Sequence, residues 1–173
     1  STCKGFNDAI LQQVASMEDL NNVLVERLEA YNNEKENMDL VLFDMAMRHI
    51  TRIARIIDQP KGHALLVGVS GSGKQSLSKL ASYILSYEVF RIVVTSSYSV
   101  NDLKVDEQNV FKKAGVVGQQ QLFIITDTQI VNEKFLISIN DILSSGYVPE
   151  LFPSEEKDEI LNKIRSEAKS NGV

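Results

Sequence analysis

The sequence predicts an α/β fold, with a parallel sheet flanked by helices and a helical segment ahead of it. Three observations predict it. Apolar, strand-sized runs at 63–69, 89–95 and 121–126 alternate with stretches of helical period. A glycine-rich turn joins the first run directly to the helix that follows, and the third run ends on an acid, Asp127.

Each element has its own signal. Phe6, Ile10, Leu11, Val14, Met17, Leu20, Val23, Leu24 and Leu28 recur at helical spacing, and Ser16 followed by Asp19 marks a restart there. The polar run 31–37 is a linker or helix end. A strongly amphipathic helix follows, with Leu40, Phe43, Met47, Ile50, Ile53, Ala54 and Ile57 on one face, stopped by Pro60 and Gly62. Residues 63–69, HALLVGV, read as a buried strand. Helices are expected at 74–87, at 99–114 with Ser99 or Asn101 as N-cap, at 133–144 closed by Gly146, and at 154–169. The chain divides into a helical linker segment, 1–36, and a nucleotide-binding part, 37–173.

Bulk properties narrow the function. At 173 residues the chain suits one domain with a real core rather than two. A net charge of -5 makes nucleic acid a poor first partner. Cys3 is the single cysteine, which rules out an internal disulfide and a cysteine metal cluster and fits a reducing compartment, cytosolic or nuclear. No apolar run approaches the roughly 18 residues that span a bilayer, and the start lacks a signal-peptide pattern. With no initiator Met, the sequence reads as a piece of something longer.

The chemistry concentrates in Gly68, Val69, Ser70, Gly71, Ser72, Gly73, Lys74, Gln75 and Ser76, set between a strand and a helix. Backbone N–H groups in such a turn, at the positive end of a helix dipole, cradle a triphosphate. Gly68, Gly71 and Gly73 permit positive φ and close approach, and Lys74 brings one mobile charge. The expected ligand is ATP, with ADP and magnesium. Ser or Thr usually follows the lysine to bind the metal; here Gln75 does, and Ser76 comes next. The metal is then met by the Gln75 amide oxygen, by a water, or by Ser76. Ser70 and Ser72 have no His–carboxylate relay and are not nucleophiles.

Asp127 closes an apolar strand about fifty residues on, where phosphate-loop enzymes hold the magnesium shell. The next residue, usually a Glu that polarises water, is Thr128. Losing a positioned base costs about 10² to 10⁴ in rate, so the site is expected to hold nucleotide and cleave it slowly or not at all. Glu133 replaces that base only if its turn folds back; the other role for it is at the start of the next helix.

These residues resemble the dynein heavy chain family, and within it the fourth AAA+ module of the motor ring. The resemblance covers 31–173 and rests on MDLVLFDMAMRHITRIARII, GVSGSGKQSLSKLA, ITDTQI and FLISINDILSSGYVPELF. Gln75 is typical of that module, and Asp127-Thr128-Gln129 looks like the axonemal branch. The fold implied is a phosphate-loop NTPase, a truncated AAA+ large subdomain without sensor strand, arginine finger or lid. The resemblance also implies a microtubule motor of cilia or flagella, with an axonemal, cytoskeletal location in the cytoplasm. Its partners would be neighbouring AAA+ modules, intermediate and light chains and microtubules, with no nucleic acid and no membrane. Leu40, Val41, Leu42 and Phe43 would lie near the adenine, or else be ordinary core. The family's sheet order places the missing sensor strand between runs 63–69 and 121–126, so those two are not expected to pair.

Two other readings compete. A small stand-alone phosphotransferase, like a nucleoside or nucleotide kinase, would need an arginine-bearing lid, yet only Arg165 follows Arg91. A structural wedge would keep the loop without using it. Arg48, Arg52 and Arg55 form a basic stripe suited to solvent or docking. His49 and His63 are too isolated for a metal site, and the run 155–159 is an acidic helix start.

Overall fold

The computed structural model describes residues 16–170, apart from the side chain of Glu167. The expected helical positions Phe6, Ile10, Leu11 and Val14 lie outside the described residues. The chain forms two compact units, one up to Tyr87 and one from Glu88 onward. The compact units thus divide at Tyr87/Glu88, not at 36/37.

In the first unit α1 spans Met17–Glu34. It starts at Ser16, whose Oγ accepts from the Asp19 amide at 3.1 Å and donates to the Asp19 carboxylate at 2.7 Å. An otherwise orphaned N–H of the first turn is thereby satisfied. The amphipathic helix is α2, Asp44–Ile57, which buries Ala46, Met47, Ile50, Ile53, Ala54 and Ile57. It begins later than its apolar pattern suggested. Phe43 is its N-cap in extended conformation, and Leu40 lies in the preceding coil. Arg48, Arg52 and Arg55 are exposed, as a solvated face requires. Helix α3, Lys74–Ile84, packs Leu77, Leu80 and Ala81 inward against α2.

In the second unit β1, Glu88–Arg91, and β2, Gln121–Ile124, form a parallel pair, with Glu88 opposite Gln121 and Arg91 opposite Ile124. Between them runs α4, Val100–Gly115. Ser99 is its N-cap, and a reciprocal capping box with Asp102 settles the choice over Asn101. A short 3-10 turn, Asp127–Gln129, leads to α5, Phe135–Ser145, and then to α6, Ser154–Ser170. Gly146, at φ 70, closes α5 as expected. The core gathers on Ile92, Leu103 and Phe135, with Tyr98 edge-on to Phe135 at 5.9 Å. Lys112 pairs with Glu156 and sits 5.6 Å from the centre of the Phe152 ring, fixing the start of α6 on α4.

One expectation fails. Residues 63–69 are not a buried strand: they pair with nothing in the two-stranded sheet, and Leu65 and Val67 are 91% and 87% exposed. The reason is the missing neighbour. A strand exists by exchanging N–H and C=O bonds with an adjacent one, and no third strand is present among the described residues. The fold class still holds: parallel strands joined by a helical crossover, with the glycine-rich loop opening a helix.

Candidate functional site

The loop's conformation follows from its glycines. Gly71 and Gly73 both sit at φ 74, a region that L side chains enter only with strain. Gly68 is not among the positive-φ residues, which corrects the expectation for it. Its value is close approach: a Cβ there would lie 3.3 Å from Ser72 Oγ and 3.7 Å from Lys74 Nζ. The Ser72 amide donates to the Val69 carbonyl at 3.3 Å, closing the turn. Gly73 caps α3 without a side chain, so no side-chain oxygen competes for the first-turn amides.

Lys74 folds back over this turn. Its Nζ donates to the carbonyls of Gly68 at 2.8 Å and Val69 at 2.7 Å, and to Ser72 Oγ at 3.1 Å. All three acceptors are exposed, so an anion arriving at the loop can exchange with them at little cost. Gln75 is exposed and Ser76 half-buried on the first turn of α3. Of the four base-side candidates, Leu40 meets the loop: its Cδ1 would be 3.8 Å from a Cβ on Gly73. Leu42 is half-buried, whereas Val41 and Phe43 are exposed, so these two are not ordinary core.

Asp127 belongs to the other unit, exposed in the 3-10 turn that follows β2. Gln129 builds the tip that carries it. Its Oε1 accepts from the Thr126 amide at 2.8 Å and the Thr126 hydroxyl at 3.0 Å, while its Nε2 donates to the buried Ile92 carbonyl at 2.7 Å. The signal for this in the sequence is the capping spacing Thr126-Asp-Thr-Gln129. Gln129→Ala should cost about 1–3 kcal/mol, since it strands a buried carbonyl; urea unfolding of the chain measures this. Thr128 is exposed, its hydroxyl 3.1 Å from Thr126 Oγ1. Glu133 is exposed in the turn ahead of α5, which starts two residues later, at Phe135.

Among the described residues no cluster of three or more His, Cys, Asp or Glu side chains is placed to hold a metal. A magnesium ion would therefore need phosphate oxygens to complete its shell. No described helix is long and apolar enough to cross a membrane.

Glu107 was missed as well. It lies on the inward face of α4, one turn after Leu103, is 3% exposed, and accepts from Ser138 Oγ of α5 at 2.5 Å. Burial pushes its carboxyl above the usual range and Asp141 adds to this, against the opposing pull of the Ser138 bond. Folding thus favours the protonated form. That stability is complete below the unfolded pKa and is lost as pH rises through the folded value. Glu107→Gln should raise the thermal midpoint by a few degrees at pH 7, with the gain vanishing near pH 4; melting curves across that range check the sign.

Comparison with known proteins decides the family. A family model described as the P-loop containing dynein motor region D4 matches residues 38–173. The chain belongs to this dynein motor family. Relatives agree along nearly the whole length of the chain. It is 51% identical over 170 residues to the dynein alpha chain of the flagellar outer arm of Chlamydomonas reinhardtii. It is 48% identical to the ciliary dynein beta chain of Tripneustes gratilla and 45% to human dynein axonemal heavy chain 9, each over 169 residues. Each alignment covers 98% of this chain and 4% of the relative. The chain thus spans a small part of the length of those proteins, and the likeness reaches back beyond residue 31. The stand-alone phosphotransferase reading is not favoured.

Proposed function

We propose that residues 68–76 hold the phosphates of ATP or ADP with magnesium. The site then regulates a microtubule-based motor, with slow or no hydrolysis of its own. The observation that carries this is Lys74, whose ammonium is folded over a turn shaped by two left-handed glycines. Backbone amides of the loop and of the first turn of α3 would take the phosphates, with Lys74 on the outer ones. Gln75 or Ser76 would face the magnesium, which would supply charge neutralisation at the phosphate oxygens. Leu40, Val41, Leu42 and Phe43 would line the base.

Thr128 supports regulation over turnover, because it offers no carboxylate to polarise water. The relatives' names, which specify flagellar, ciliary and axonemal dyneins, support an axonemal cytoskeletal setting. There the neighbours would be the other AAA+ modules of the same chain, with intermediate chains, light chains and microtubules reached through the whole motor. The test is nucleotide stoichiometry of the intact heavy chain at saturating Mg-ATP. Lys74→Ala should lower it by one site per chain. An unchanged value would leave the loop as a structural wedge.

A further inference from the structure

Helix α1 is tied to the helix of the phosphate loop. Tyr31 packs edge-on against Tyr83 of α3, with ring centres 5.3 Å apart, and Glu36 pairs with Lys79 of α3. Tyr31 Oη also donates to Glu36 at 3.3 Å. Burial, with Glu36 beside it, pushes the Tyr31 phenol up to about 12, so it stays a donor at every working pH.

Asn32 then decides how the chain leaves α1. The Met38 amide donates to Asn32 Oδ1 at 2.8 Å, and Asn32 Nδ2 donates to the Met38 carbonyl at 3.4 Å. One side-chain amide thereby pairs with both polar groups of a single residue, as an adjacent strand would. Met38 is buried under this pairing, and its carbonyl also accepts from the Leu40 amide at 3.1 Å. Leu40 is the residue whose methyl reaches Gly73 of the loop.

We infer that Asn32 is a positioning residue for the nucleotide base, which makes the end of α1 part of the binding site rather than a linker ahead of it. The inference rests on the nucleotide reading above. Asn32 lies outside the residues matched by the dynein family model. With Met38 pinned, one residue separates a fixed point from Leu40, and Leu40 is held beside the loop. Without Asn32 the segment must be ordered when nucleotide binds, and that cost is charged to the base alone. The phosphate loop, shaped by its own glycines and Lys74, does not depend on Asn32.

The intact heavy chain carrying Asn32→Ala tests this, using photolabelling by 8-azido-ATP with magnesium. The label is read in the tryptic peptide 36–48, which contains the base-side segment. Half-maximal labelling should need about tenfold more probe. The inhibition constant of inorganic tripolyphosphate against the probe should stay within about twofold of the parent. Asn32→Asp, which keeps the acceptor for Met38, should recover part of the loss. Equal weakening of probe and tripolyphosphate would reduce Asn32 to a fold residue and overturn the inference. So would unchanged labelling in Asn32→Ala alongside lost labelling in Lys74→Ala. If Lys74→Ala also leaves labelling intact, the nucleotide reading itself is what fails.

Discussion

Replacing Lys74 with Ala is expected to weaken ATP binding at this site at least about 100-fold while leaving the fold intact. The two halves of that expectation have separate causes. A charge-assisted hydrogen bond contributes about 1.5–3 kcal/mol, and an ammonium reaching two phosphate oxygens supplies two, which converts to a factor of a hundred or more. The fold is spared because the three acceptors that Lys74 now holds, on Gly68, Val69 and Ser72, are exposed and pass to water. Exposed changes of this kind stay within about 0.5 kcal/mol. The 8-azido-ATP labelling of peptide 36–48 and a thermal melt of the same variant measure the two halves. Lys74→Arg should not restore affinity, since a planar fork does not fit where a point charge is folded over a tight turn.

Thr128→Glu is expected to act in the opposite direction, raising ATP cleavage at this site by about 10²-fold or more when the rest of the motor is present. The position accepts the change: Thr128 is exposed, and its side chain contributes a single hydroxyl contact to Thr126. Gln129, not Thr128, holds the turn together, so the tip should survive. Thr128→Gln has similar bulk and no basic carboxylate and should leave the rate where it was. Single-turnover conversion of bound ATP to ADP, with the Lys74→Ala signal subtracted, isolates this site. No gain in rate would count against the missing-base argument.

These expectations differ in how far the sequence alone supports them. The phosphate loop was legible because glycine at 71 and 73 specifies backbone conformation locally, and the φ values follow. The caps of α1 and α4 were legible for the same reason, since Ser16 and Ser99 reach acids three residues away. Residues 63–69 misled because their apolar, β-branched letters describe a strand whose partners are not local. Pattern encodes the wish to be buried and says nothing of whether a neighbour is present. The start of α2 misled in a related way: Leu40 and Phe43 continue the apolar period, yet Phe43 is extended, and Leu40 is turned to the phosphate loop.

Polar residues acting at a distance were the hardest to read. Asn32 sits in a polar run that looks like linker, and its bonds go to a backbone six residues on, which no helical or strand period signals. Glu107 occupies an inward position on α4, and its partner Ser138 lies 31 residues away, beyond the reach of any local period. The base-side segment 40–43 is legible as family resemblance, but the placement of Leu40 beside Gly73 is a tertiary fact.

Hydrogen–deuterium exchange of the intact heavy chain, followed in the peptides that cover residues 66–80, tests the central claim most directly. Amides of the loop and of the first turn of α3 should exchange more slowly with saturating Mg-ATP than without it, and the protection should be absent in Lys74→Ala. Identical exchange with and without Mg-ATP would mean that these amides meet no phosphate, and would contradict the account.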